Sequence, residues 1–168
     1  LLAKLVRGLG SENVDMRLRH ADFDNAAPAG RARWLGTSIA SLSSLQRVFV
    51  VGSFLRKDHP LLAQRIRQAV RHGAEVSSLN AVHDDWAMPV ARRITAAPSG
   101  WVDSLAQVAA AVAAAKAIAA PAPADAGTEA KGVAASLMSG ERKALLLGNA
   151  AAQHPQASQL LALAQWIA

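Results

Sequence analysis

Two short groups of chemistry-bearing residues stand in the same setting. Gly52-Ser53 follows the apolar run Val48 to Val51 and leads through a loop to His59-Pro60; Gly148-Asn149 follows Leu145 to Leu147 and leads to His154-Pro155. A glycine directly after a buried strand lets backbone amides approach an anion, and a helix opening a few residues later adds the positive end of its dipole. Each cassette is a scaffold of the kind that holds phosphate or nucleotide, with a histidine placed to touch it. Neither carries GxxxxGK[ST] or GxGxxG spacing, so the glycine turn is the whole of the signal. The structural reading of His59 and His154 is the expected one: they sit at the helix N-cap and bond locally. A metal needs more ligands nearby than two separated histidines.

A third group, His83-Asp84-Asp85-Trp86, gathers an imidazole and two carboxylates that suit cation binding or acid-base work. Contiguous side chains rarely converge on one point, so a polar loop anchored by Trp86 is the expectation. Asp15, Arg17, Arg19 and Asp22 alternate in sign, which suits an exposed or inter-subunit segment with arginine available for bidentate pairing. No catalytic residue and no metal ligand is expected. The cofactor candidates are Gly52, Ser53, His59, Asn80, Gly148, Asn149 and His154, all as vestigial contacts.

The composition narrows the function classes. With 168 residues the chain holds one ordinary domain, or a part of a larger body, around a real core. It has no cysteine, which removes disulfides, thiolate zinc sites, cysteine-ligated clusters and a cysteine nucleophile from this segment. A net charge of +6 permits an acidic partner such as nucleic acid, anionic lipid or an acidic protein face. The arginines are dispersed, however, without the basic run and interleaved aromatics of nucleic-acid modules, so a solvated surface or protein interface is expected. The longest apolar run, Leu105 to Ala120, is mostly alanine and is broken by Gln107 and Lys116, a poor membrane span. The chain opens at Leu1-Leu2-Ala3-Lys4 and closes at Trp166-Ile167-Ala168, both within helical patterns, so it is expected to be an excised or processed piece.

The elements that must position these groups follow from periodicity. Leu2, Leu5, Val6 and Leu9 keep helical spacing; Ser11 to Arg33 has none, and Asp22, Asp24, Asn25, Pro28 and Gly30 make it loop-like. Thr37 or Ser38 caps a short helix through Leu45, with Ile39, Leu42 and Leu45 inward. Val48 to Val51 is too continuously apolar for a strand with one wet face, which predicts a parallel sheet buried on both sides. Pro60 opens a helix with Leu62, Ile66, Ala69 and Val70 on one stripe, and Gly73 closes it. Glu75 to Asn80 is a second strand, reached by a right-handed crossover. Ala91 to Ala96 is a third, Trp101 to Ala119 an alanine-rich helix, and Leu145 to Leu147 a fourth strand before a helix from Pro155. The expected organisation is an α/β unit over 1–120, a linker or surface excursion over 121–140 with a weak turn at Ala134 to Met138, and a second α/β unit over 141–168.

These residues carry a resemblance. GSENVDMRLRHADF, then VFVVGSFLRKDHPLLAQRIRQAVRHGAEVSSLNA, then RRITAAPSGWVDSL resembles the central part of a molybdopterin-dependent oxidoreductase domain. More narrowly, VGSFLRKDHPLLAQRIRQAV followed by HDDWAMPVA is similar to the large iron-sulfur subunit of bacterial NADH-quinone oxidoreductase, respiratory complex I. The resemblance runs from Gly10 to Ala168. It implies a three-layer, mostly parallel Rossmann-like sheet within a molybdopterin-oxidoreductase-like body. Active relatives grip a guanine-dinucleotide pterin with such strand-glycine units. They commonly place asparagine two positions after the strand glycine, where this chain has Phe54. They end the next strand in Asp-Pro-Arg, here Asn80-Ala81-Val82, and follow the third with Pro-Gly-Thr-Asp, here Pro98-Ser99-Gly100-Trp101. Losing those oriented hydrogen bonds implies a cofactor fold whose cofactor site has decayed.

The resemblance therefore implies a structural and assembly domain in the peripheral arm of an enzyme that passes electrons from NADH to quinone. Its partners would be other peripheral-arm subunits, its place the cytoplasmic side of the bacterial inner membrane, and its contact with the membrane indirect. No cofactor is expected in this piece; iron-sulfur clusters belong to an N-terminal region outside it. The alternatives are part of an active pterin enzyme of the formate dehydrogenase kind, or a nucleotide-binding module.

Overall fold

The computed structural model describes residues 1–14, 22 and 35–168. The alternating charges at Asp15, Arg17 and Arg19 and most of the expected loop before Arg33 lie outside the described residues. A short helix α1 (Leu2–Gly8) precedes a 3-10 turn (Ala40–Ser44) whose N-cap residue is Ile39 and not the expected Thr37 or Ser38, although the Ser38 hydroxyl accepts from the Ser41 N–H at 3.2 Å. Leu42 is buried in that turn; Ile39, expected inward, is exposed.

Strands β1 (Arg47–Val51), β2 (Glu75–Asn80), β3 (Arg92–Thr95) and β4 (Lys143–Leu147) form one sheet in the order β3-β2-β1-β4, every pairing parallel. Helices α2 (Leu55–Asp58) and α3 (Pro60–Arg71) follow β1; α4 (Trp101–Lys116) and α5 (Thr128–Met138) follow β3; α6 (Asn149–Ala152) and α7 (Ala157–Ile167) follow β4. The fold is three-layer α/β with helices on both faces. Val48 and Val50 join Val76, Leu55, Ile66 and Trp86 on one side, while Phe49 and Val51 join Leu79, Leu105, Val108, Val133 and Leu160 on the other. That alternation is why the whole β1 run is apolar: each face of the pleat meets its own helix layer. Each large aliphatic so buried contributes about 1.5–3 kcal/mol.

Pro60 sits in the first turn of α3, where its missing N–H has no partner to lose. The second cassette differs. Pro155 does not open α7, which begins two residues later with Gln156 as its N-cap. The segment 121–140, expected as a linker with a weak turn at Ala134 to Met138, carries the helix α5 over Thr128–Met138 with Ala130, Val133, Ala134 and Leu137 buried. Its inward face alternates small residues (Ala130, Ala134, Ser136) with Val133 and Leu137, a weaker amphipathic stripe than one of large side chains throughout. Strand β4 of the segment 141–168 pairs directly with β1.

Glu75 fastens β2 to its neighbours. Its carboxylate accepts from the Ser136 hydroxyl of α5 at 2.7 Å and from the Arg92 guanidinium of β3 at 2.9 Å. These two hydrogen bonds, the first from Ser136, hold its pKa below the ordinary 4.5. A depressed folded-state pKa contributes stability that is present above 4.5 and is lost as pH falls through the folded value. Glu75→Gln is therefore expected to flatten the loss of stability below that pH, measured as urea midpoints across an acid series. An unchanged acid limb would refute the role.

Candidate functional site: the crevice between β1 and β4

In the order β3-β2-β1-β4 the chain leaves β1 toward β2 on one side and returns to β4 on the other. The carboxyl ends of β1 and β4 thus flank a topological switch point, the place where open parallel sheets bind ligands. Both sequence cassettes meet there. Gly52, Ser53, Asn80, Gly148 and His154 come together as buried residues; His59 is half-buried at the opening of α3, and Asn149 is exposed at the start of α6.

The loop after β1 has used its amides internally. The Gly52 N–H donates to Leu79 O at 2.9 Å, the Ser53 N–H to Asn80 Oδ1 at 3.0 Å and the Phe54 N–H to Asp58 Oδ2 at 2.9 Å. Asn80 returns a second bond from Nδ2 to Ser53 O at 2.9 Å, and the Ser53 hydroxyl donates to Asp58 at 3.1 Å. The first cassette is closed by its own side chains. Asp58 was not legible as a site residue; its signal is an acid one helical turn after Phe54, reaching back as the acid of a capping box does.

The second cassette closes onto the first. Gly148 donates to Val51 O at 2.8 Å, and the opening amides of α6, from Ala150 at 3.0 Å and Ala151 at 3.3 Å, both point at Gly52 O. Gly52 adopts φ +62°, and a Cβ there would lie 2.6 Å from Ala151 N and 2.8 Å from Trp101 Cζ3. A Cβ on Gly148 would lie 2.6 Å from Gly52 O and 2.7 Å from Ser53 Cα. Two glycines back to back let the loops touch where a ligand would otherwise pass.

His154 works as a fastener. Its Nδ1 accepts from the Gln156 N–H at 3.0 Å, which leaves the Nε2 proton to donate to Pro98 O at 2.8 Å. The ring stacks on Trp101 at 5.8 Å between centroids, and the Trp101 indole N–H donates to Ala96 O at 3.0 Å. The loops after β3 and β4 are thereby joined. His59 makes no capping hydrogen bond; it faces a groove of about 560 Å³ along β4 and α7, lined by leucines and alanines with no lysine or arginine among the described residues.

His83, Asp84 and Asp85 do not converge. The Asp85 carboxylate accepts from the Ala87 N–H at 2.8 Å and pairs with Arg56 at 2.7 Å; the backbone bond, then the guanidinium, lower its pKa. Arg93 donates to Asp84 O at 3.3 Å, and Trp86 is buried beneath the loop. Among the described residues no three His, Cys, Asp or Glu side chains gather around a possible metal position.

The Gly52–Gly148 contact makes a sharp demand. Gly148→Ala is expected to cost about 1–3 kcal/mol by overpacking, and Gly52→Ala more, because its backbone is also left-handed. Guanidinium denaturation measures both; tolerance of either alanine without loss would contradict the closed geometry.

The sequence model of the family described as molybdopterin oxidoreductase matches residues 1–168. No curated protein matches the chain significantly. A full-length match together with an all-parallel sheet covered by helices on both faces shows that this chain belongs to the molybdopterin oxidoreductase family, a family of oxidoreductases.

Proposed function

We propose that this chain is a structural and assembly domain of the large iron-sulfur subunit of a bacterial NADH-quinone oxidoreductase, with a decayed pterin site. The observation that carries the reading is the closure of the switch-point crevice: the amides of Gly52, Ser53, Phe54, Gly148, Ala150 and Ala151 all donate to protein acceptors. A dinucleotide needs such donors free, since each phosphate oxygen must replace the water it gives up. Trp101 fills the space beside Gly52, and the adjoining groove offers leucines and alanines in place of cations. The residues present do not fit a guanine-dinucleotide pterin, and no chemical step is assigned through one.

On this reading the domain contributes rigidity. Sheet, caps and fasteners hold a fixed body against neighbouring peripheral-arm subunits on the cytoplasmic side of the inner membrane, while electrons pass through iron-sulfur clusters held elsewhere in the parent chain. The dispersed arginines suit protein contacts rather than nucleic acid. No helix among the described residues is long and apolar enough to cross a membrane.

The test is metal analysis and guanine-nucleotide release from the purified full-length protein, alongside copurification with NADH-oxidising and quinone-side subunits. Association without stoichiometric molybdenum or tungsten is expected. About one metal per chain, or no association with either set of subunits, would overturn the reading; the first result would favour an active enzyme of the formate dehydrogenase kind.

A further inference from the structure

We infer that the cleft at the opposite end of the sheet, where β1 and β4 begin, is a binding site for a phosphate-type oxyanion. The cleft has a volume of about 450 Å³ and lies between the 3-10 turn, the end of α3 and the turn from α5 into β4. Its polar lining includes Arg47, His72 and Arg142 with Gln46 and three serines, and no carboxylate is among the lining residues. This inference is independent of how the switch-point crevice is read.

Both guanidinium groups are held by their inner nitrogens. Arg47 Nε donates to Ser139 Oγ at 2.8 Å and its Nη1 to Gln46 O at 2.7 Å. Its stem lies against Gly140, where a Cβ would stand 2.6 Å from Arg47 Cγ. Arg142 Nε donates to Ser44 O at 2.7 Å. Among the described residues Nη2 of Arg47 and both terminal nitrogens of Arg142 have no hydrogen-bond acceptor. Arg142, fixed by its inner nitrogen, presents its two outer ones as an ordered fork, the arrangement that suits phosphate, and Arg47 adds a single free nitrogen.

The Ser43 hydroxyl takes no part: its Oγ is closed off from the cleft and has no partner among the described residues.

Two effects oppose an anion here, and neither wins. Helix α3 and helix α5 end beside the cleft, and a helix C-terminus carries roughly half a negative charge. The end of α5 is already answered by Lys143 Nζ, which donates to Leu137 O at 3.1 Å, and the 3-10 turn by Arg142. Glu75, the carboxylate on which Arg47 acts, is hydrogen-bonded to Arg92 and Ser136 instead. Glu141 is exposed and does not line the cleft. Two full positive charges remain against these partial ones.

Calorimetric titration of the intact protein with inorganic phosphate tests the site, with sodium chloride holding ionic strength constant. Parallel arms use glycerol phosphate and acetate. One saturable phosphate site is expected, weakened about tenfold or more by Arg142→Gln and measurably by Arg47→Gln, and unchanged by Arg56→Gln at the other end of the sheet. Tighter binding of glycerol phosphate would identify the ligand as a phosphate monoester; equal binding would identify free phosphate. The inference fails if chloride reproduces the heat, if acetate binds as well as phosphate, or if Arg142→Gln and Arg47→Gln both bind like the parent. Thermal midpoints of the variants distinguish lost binding from lost fold.

Discussion

The contact between Gly52 and Gly148 is the constraint on which the rest depends. Two parallel strands leaving one sheet normally diverge at the switch point because their following helices go to different layers. Here α6 aims its opening amides at the Gly52 carbonyl, so the loops are drawn together by the donors that would otherwise face a ligand. Only residues without Cβ atoms allow this approach. The neighbouring features then fall into place: Asn80 and Asp58 saturate the remaining amides of the first loop, and Trp101 closes the flank against His154. A helix terminus buried with its amides paired is a stable end; left open it would require water or an anion.

The sheet was readable because its residues report their surroundings directly. Val48 to Val51 is apolar at both parities, and both parities meet helices. Strand β2 was bounded correctly at Glu75 and Asn80 although Ser77 and Ser78 are buried at its centre, small residues paired with Phe49 and Val50 in the neighbouring strand. Helix α5 was the hardest to see. Alanine and glycine punctuated by prolines look like a linker when hydrophobic size is the signal, yet small residues suffice when the partner is α4, itself alanine-rich and close. Burial by close approach leaves a weak trace in a pattern of large side chains.

At the site, residue type was a better guide than role. The seven vestigial candidates lie at the carboxyl ends of β1, β2 and β4 or in the segments that follow them: Asn80 ends β2, Asn149 opens α6 and His59 precedes α3. What sequence could not supply was the direction of each hydrogen bond. Asn80 reads as a possible nucleotide acceptor, and in the fold both ends of its amide are spent on the Ser53 backbone. His154 reads as a cap on a helix opened by Pro155; it instead accepts from Gln156 and reaches the loop after β3. The His-Pro pair repeats in sequence while its two copies do different work, because α3 starts at Pro60 and α7 starts beyond Pro155.

A parallel sheet has two chemically unequal ends, and this protein treats them differently. At the carboxyl ends of the strands, the backbone donors of Ser53, Phe54, Ala150 and Ala151 are matched by Asn80, Asp58 and the Gly52 carbonyl, which reduces what they offer an anion. At the amino ends, helix-terminal carbonyls converge and require cations, which Arg142 and Lys143 provide. A lysine or arginine satisfying a carbonyl brings a whole charge to a partial one. The excess accumulates around the 3-10 turn and the α5–β4 turn, where Arg47 adds another. The positive character of that end is thus a consequence of how the helices terminate. The same residues that stabilise the body create the surplus charge from which recognition of an anion can be built.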